Sequence, residues 1–205
     1  MAESGVMERT GKTGYRVVVI GGSTGSIDVL LQLLPALQLP LSVGIVVVVH
    51  RKNTADSTLA DLLALRTKLP VQEADEKTEL LPGHIYLAPA DYHLLLERDG
   101  SFSLDDSEKV HYSRPAIDVT FESLADVYGS AVVGVLLSGA NADGTEGLDA
   151  IKRAGGLALV QHPDTAQVGY MPQQAIERVA VDAVLTIPEL AQYINQLNAR
   201  NRQTT

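Results

Sequence analysis

Val17-Val18-Val19-Ile20-Gly21-Gly22-Ser23-Thr24-Gly25-Ser26 constrains this chain more than any other stretch. A four-residue apolar run stops at two glycines, and Ser23 then stands between Gly21 and Gly25. Beyond it, Ile27, Leu30, Leu31 and Leu34 recur at i, i+3, i+4 and i+7, the period of a one-sided helix. The segment therefore predicts strand, tight turn and helix, with Ser23 at the turn. Gly21-x-Ser23-x-Gly25 has the form of a nucleophile elbow, which lifts a serine oxygen above the sheet edge beside the N–H groups of a helix start. A dinucleotide turn is an alternative, although G-x-G-x-x-G is not spelled out. A P-loop would need Gly-Lys-Ser/Thr, which does not follow. Ser23 as a plain helix cap is the simplest alternative.

The rest of the chain repeats the same alternation. Residues 43–49 are a continuous β-branched run, the composition of a strand buried on both faces of a parallel sheet. They end in His50-Arg51-Lys52-Asn53, and Thr54 or Asp56 is placed to cap a helix carrying Leu59, Leu62, Leu63 and Leu65. Residues 131–137 form another apolar run, which ends in Ser138-Gly139-Ala140-Asn141-Ala142-Asp143-Gly144. Strands are also expected at residues 157–161 and 183–185, with Thr186 capping a last helix. The middle departs from this rhythm. Residues 85–88 predict a short strand, and Asp99-Gly100 between residues 92–98 and 101–104 is a hairpin signal. The predicted fold is α/β: a doubly wound, mostly parallel sheet with helices on both faces and an antiparallel hairpin excursion at one edge.

In such a sheet every strand points its carboxyl end at the same edge, where ligands bind. Ser23, His50 and Asp143 all fall at that edge. Their types are those of a nucleophile, a general base and an orienter of the base. Each has a bland reading as a cap or a strand-end polar residue. His162 also ends a strand there and rivals His50. His84, His93 and His111 lie in the excursion and its exit, with no ligand-like spacing, so structural roles are expected and no metal.

The charge of −9 argues against a nucleic-acid partner, since phosphates call for a basic surface. No apolar run is long enough to span a bilayer, so no membrane insertion is expected. The chain has no cysteine, which excludes a thiol nucleophile and fits a reducing cytoplasm. Residues 1–14 and 199–205 are polar and are expected to be loose tails around a domain at 15–198.

Several segments together resemble the CheB-type protein-glutamate methylesterases of bacterial chemotaxis. Gly22-Ser23-Thr24-Gly25 is similar to that family's serine motif, and residues 82–93 to its P-G-x-x-Y-x-A-P-x-x-x-H segment. Arg114-Pro115-Ala116-Ile117-Asp118-Val119-Thr120-Phe121 resembles R-P-S-V-D-x-x-F. Residues 137–144 occupy the place of T-G-M-G-x-D-G, and Tyr170-Met171-Pro172 that of G-M-P. The resemblance spans residues 16–197 in order. It implies a Ser23-His50-Asp143 triad that removes methyl groups from glutamate esters of a chemoreceptor, and by the same attack deamidates glutamine. It implies no cofactor and no metal, with the Thr24 N–H as oxyanion donor and Ala140 and Asn141 lining the substrate. Ala140-Asn141 stands where the family carries Met-Gly, and Ser26 replaces a second glycine. Arg51 and Lys52, beside the base, are expected to steer an acidic receptor. No receiver domain is expected in these residues. Two other functions fit the same fold: an NADP-type nucleotide-binding protein using Arg51-Lys52 on a 2′-phosphate, and an inactive CheB-like scaffold.

Overall fold

The computed structural model describes residues 16–51 and 58–203. The expectations for residues 1–14, for Lys52 and for a cap at Thr54 or Asp56 lie outside them. The described residues form nine strands and six α-helices, which alternate except for the run β3 to β6. The strands are β1 (Val17–Gly22), β2 (Gly44–Val49), β3 (Val71–Glu73), β4 (Ile85–Leu87), β5 (His93–Leu96), β6 (Phe102–Asp105), β7 (Val132–Leu136), β8 (Leu157–Gln161) and β9 (Ala183–Leu185). The helices are α1 (Ser26–Leu33), α2 (Thr58–Ala64), α3 (Ile117–Tyr128), α4 (Thr145–Arg153), α5 (Tyr170–Arg178) and α6 (Ile187–Gln203).

Seven strands form one sheet in the order β3-β4-β2-β1-β7-β8-β9, and every neighbouring pair is parallel. β1 is central. Its side chains are fully buried, and they alternate between two cores because strand side chains alternate between faces. Val18 and Ile20 pack with α1, α2 and α6 on one face. Val17 and Val19 pack with α3, α4 and α5 on the other. Helices thus cover both faces, as the near-continuous apolar strands require. The chain leaves β1 in one direction towards β2 and β4, then returns to β1's other side at β7. That reversal opens a crevice at the strands' carboxyl ends, the usual ligand site of such a sheet.

Several local expectations are met with shifts. Proline at position 35 ends α1 early, and Leu34–Ala36 tighten into a 3-10 turn. The buried stripe of α1 is Val29, Leu30 and Leu33, while Ile27 and Leu31 are only half-buried. The hairpin at Asp99-Gly100 forms, but β5 and β6 make a two-stranded sheet of their own, with Leu94, Leu96 and Phe102 in the core shared with α3. The strand at Ile85–Leu87 belongs to the large parallel sheet, where it lies between β2 and β3. α6 runs on through Gln203, past the expected start of a loose tail. The helix is anchored there, because Asn198 is buried and bonds Ser42, Gln38 and Pro40.

Candidate active site

The β1–β2 register pairs Gly22 with Val49, so the residues that follow them, Ser23 and His50, leave the sheet side by side. The His50 N–H donates to the Gly22 carbonyl at 3.2 Å and extends that pairing by one step. Ser23 sits on the turn into α1, half-buried. The turn needs a left-handed residue, and Gly25 supplies it at φ 85°. Gly21 is required for a different reason. A Cβ there would run into the Ile117 side chain, so its absence lets the start of α3 lie directly on β1.

Asp143 is fully buried and accepts three hydrogen bonds. His50 Nε2 is 2.6 Å from its Oδ2, and the Ile117 N–H donates to the same oxygen at 2.8 Å. The Asp118 N–H donates to Oδ1 at 3.0 Å. Both backbone donors belong to the first turn of α3, whose dipole also favours an anion there. Burial is the largest influence on Asp143 and acts to raise its pKa. The His50 bond, the Asp118 and Ile117 N–H groups and the His50 charge outweigh it, and the carboxyl is held below its ordinary range. Asp118 moves the other way. Its burial, then the nearby Asp143 charge, push it up to about 8, against the Gly147 N–H. Of the two carboxyls Asp143 is therefore the ionised one at neutral pH. An ionised Asp143 requires the proton on Nε2, so the lone pair of His50 is at Nδ1.

The structure thus joins His50 and Asp143 and sets Ser23 beside them at the same sheet edge. Among the described residues the Ser23 hydroxyl makes no hydrogen bond; its backbone does the positioning. The Ser23 N–H donates to the Ser138 carbonyl at 2.8 Å, and Ser26 returns both its N–H and its hydroxyl to the Ser23 carbonyl, the latter at 2.6 Å. The Thr24 N–H has no partner among the described residues and opens at an exposed position. His162 lies apart. Its Nδ1 accepts from the Asp164 N–H, and its N–H is tied to Leu185 on the far strand. His93 is buried, with Nδ1 accepting from Ala116 N–H and Nε2 against the Glu108 carbonyl, so it bolts the hairpin to the start of α3.

A cleft of about 560 Å³ opens beside His50, with Arg51, Asp91, Lys109, Tyr112 and Arg114 in its lining. Arg51 is not a free charge there. Its guanidinium is paired with Glu73 and is largely buried, because β3 brings Glu73 up beside β2's exit. The partnered Arg51 thereby weakens both the steering role and the NADP reading that sequence allowed. Lys52 lies outside the described residues. Ala140 is exposed, while Asn141 accepts the Asp143 N–H at 3.3 Å and so braces the loop.

Residues 18–194 match the profile of the CheB methylesterase family. The chain belongs to that family. Among solved structures it is similar to the CheB methylesterase catalytic domain of Thermotoga maritima, at 35% identity and a TM-score of 0.86, covering 90% of this chain and 99% of that one. A Leptospira interrogans protein, provisionally named a protein-glutamate methylesterase/protein-glutamine glutaminase, is 42% identical over 187 residues, which are 91% of this chain and 97% of that protein. Protein-glutamate methylesterase/protein-glutamine glutaminase 1 of Carboxydothermus hydrogenoformans is 38% identical over 90% of this chain. The chain spans about half the length of that second relative, 56%.

In this member of the CheB family the Ser26 hydroxyl holds the Ser23 carbonyl. Three positioning residues were not picked out from the sequence. Ser138 is fully buried: its hydroxyl donates to the Thr24 carbonyl at 2.6 Å and accepts the Val168 N–H at 3.0 Å. Gln161 is also fully buried and accepts the Ser138 N–H at 2.9 Å. Asp118 holds Asp143 through its backbone. A buried polar residue at the end of an apolar run was the one available cue for Ser138 and Gln161.

Proposed function

We propose that this chain is a protein-glutamate methylesterase whose nucleophile, base and orienting acid are Ser23, His50 and Asp143. The observation that carries the proposal is the 2.6 Å His50–Asp143 pair at the sheet edge, one register step from the serine turn. Family membership and the relatives' names support the same reaction. In it, the Ser23 oxygen attacks the γ-ester carbonyl while His50 takes its proton. Thr24 offers its N–H to the oxyanion, the residue after the nucleophile being the natural donor. The tetrahedral intermediate then collapses, His50 gives the proton to the departing methoxide, and methanol leaves. Water attacks the acyl-enzyme with His50 again as base, which frees the glutamate carboxylate and restores Ser23. Asp143 keeps the imidazole proton at Nε2 and stabilises the imidazolium. The same attack on a glutamine side chain releases ammonia. The substrate is a methylated chemoreceptor or similar protein in the cytoplasm. Among the described residues no helix is long and apolar enough to cross a membrane, and no step requires a cofactor.

The test is methanol release from a methylated receptor fragment. The wild type is expected to turn over, and Ser23→Ala to lose roughly 10⁴-fold or more in kcat with its fold intact. Retention of more than about a tenth of the activity would remove Ser23 as nucleophile. No turnover by either protein would favour a binding scaffold of the same fold.

A further inference from the structure

The loop that follows the hairpin carries a histidine that no catalytic step uses. His111 Nε2 lies 3.4 Å from Asp118 Oδ2. Glu146 brings a carboxylate oxygen to the same place, so that the three ligand atoms lie within 4.8 Å of one another. The three residues come from the loop before α3, the first turn of α3 and the first turn of α4. They converge because α3 and α4 pack closely where Gly147 faces Phe121 and Asp118. Asp118 is the part that points to a ligand. Its side chain is only 5% exposed. Oδ1 accepts the Gly147 N–H at 2.7 Å, but the buried Oδ2 accepts no hydrogen bond among the described residues and is aimed at His111. A buried carboxyl oxygen with no partner is costly, and a cation that takes the place of the carboxyl proton would satisfy it. The surroundings are acidic as well: the charge of Glu146 acts on the neighbouring Glu122.

We propose that His111, Asp118 and Glu146 form a binding site for one divalent transition-metal ion, with Zn²⁺ the best match. One imidazole nitrogen with carboxylate oxygens suits Zn²⁺, whereas Mg²⁺ takes oxygen ligands. Ligands about 2.0–2.2 Å from a tetrahedral Zn²⁺ lie roughly 3.4 Å apart. The His111–Asp118 pair already has that spacing, and the exposed Glu146 side chain closes the remaining gap by rotation. Three protein ligands leave one position for water. The ion would tie the His111 loop to α3, the helix whose Asp118 N–H holds Asp143. Local spacing could not reveal this site, because each ligand belongs to a different segment.

Calorimetric titration of the chelator-treated full chain with Zn²⁺ tests the proposal. One equivalent is expected to bind with a Kd of about 10 μM or tighter, with Mg²⁺ failing to compete. His111→Ala and Glu146→Gln change exposed side chains, and each is expected to weaken binding at least tenfold, roughly. Removing the two histidines that belong neither to the core nor to the proposed triad, His84→Ala/His162→Ala, should leave the affinity unchanged. Zn²⁺ should also raise the Tm of the wild type but not of His111→Ala. No saturable binding below about 1 mM, or equal affinity in all variants, would overturn the site. Binding is read without turnover, so the result is independent of the esterase assay.

Discussion

The choice of base rests on single residues. His50 and His162 both end strands at the carboxyl edge, but only His50 reaches a buried carboxylate. His50→Gln is expected to lose roughly 10³-fold or more in kcat, while His162→Gln stays near wild type. A dead His162→Gln beside an active His50→Gln in the same methanol assay would reverse the assignment. Asp143→Asn should cost on the order of 10⁴-fold in kcat, because an amide there stabilises the wrong imidazole tautomer. Ser138 offers a test of positioning rather than chemistry. Ser138→Ala leaves the Thr24 carbonyl and the Val168 N–H without their side-chain partner, at a cost of about 1–3 kcal/mol in stability. Denaturant melts and kcat should fall together, since the same hydroxyl braces the serine turn.

At the scale of elements, α3 matters most, because its first turn holds Asp143 and its side chains press on β1. Gly21→Ala would push Ile117 away from the strand. A loss of about 1–3 kcal/mol is expected from overpacking, with reduced turnover as Asp143 shifts from its donors. Circular dichroism melts set beside kcat would show it; an unchanged Tm would mean that α3 yields freely. Thr186 directly precedes α6, and its N–H and hydroxyl both donate to Glu189. The Thr186 hydroxyl and then its N–H hold the Glu189 carboxyl below its ordinary value of 4.5. Its stabilising effect is therefore present above that pH and lost as pH falls through the lowered value. The stability difference between wild type and Glu189→Gln should be present at neutral pH and vanish in strong acid.

Elements were legible in the sequence to the extent that their burial was regular. β1, β2 and β7 are apolar or glycine throughout, β8 is apolar up to Gln161, and these four announced themselves. β3 did not, because Val71-Gln72-Glu73 is a short edge strand with only one apolar residue. Glu73's pairing with Arg51 was hidden for the same reason. Ser23, His50 and Asp143 could be picked out because a parallel sheet sends all its strand ends to one side. Asp118, Ser138 and Gln161 could not, since their value lies in contacts between segments far apart in the chain.

The whole molecule carries a net charge of −9, and its proposed substrate is acidic too. Long-range repulsion makes any free positive charge at the cleft count. Arg51 is engaged by Glu73, and Arg114 donates to the Asp106 and Ser107 carbonyls. Lys109 is exposed in the cleft lining. Lys109→Ala should lower kcat/KM for a methylated receptor fragment and flatten its salt dependence, because steering fades over roughly 8–10 Å at physiological ionic strength. Hydrolysis of a small neutral ester should be unaffected. Equal loss on both substrates would mean that Lys109 supports the cleft's shape instead.

The central place of β1 also sets a timetable for the newborn chain. Of the described strands β1 is synthesised first, and β2 can pair with it soon afterwards. Its other neighbour, β7, is translated roughly a hundred residues later. Ribosomes add about 5–20 residues per second, so β1 waits several seconds with one edge open. Throughout that interval the serine turn lacks the Ser138 carbonyl, and Asp143 does not yet exist. The turn is complete only after Val168, which anchors Ser138, has also left the exit tunnel. Esterase activity in a series of ribosome-stalled chains should therefore switch on in one late step, and any activity in chains that end before β7 would contradict it.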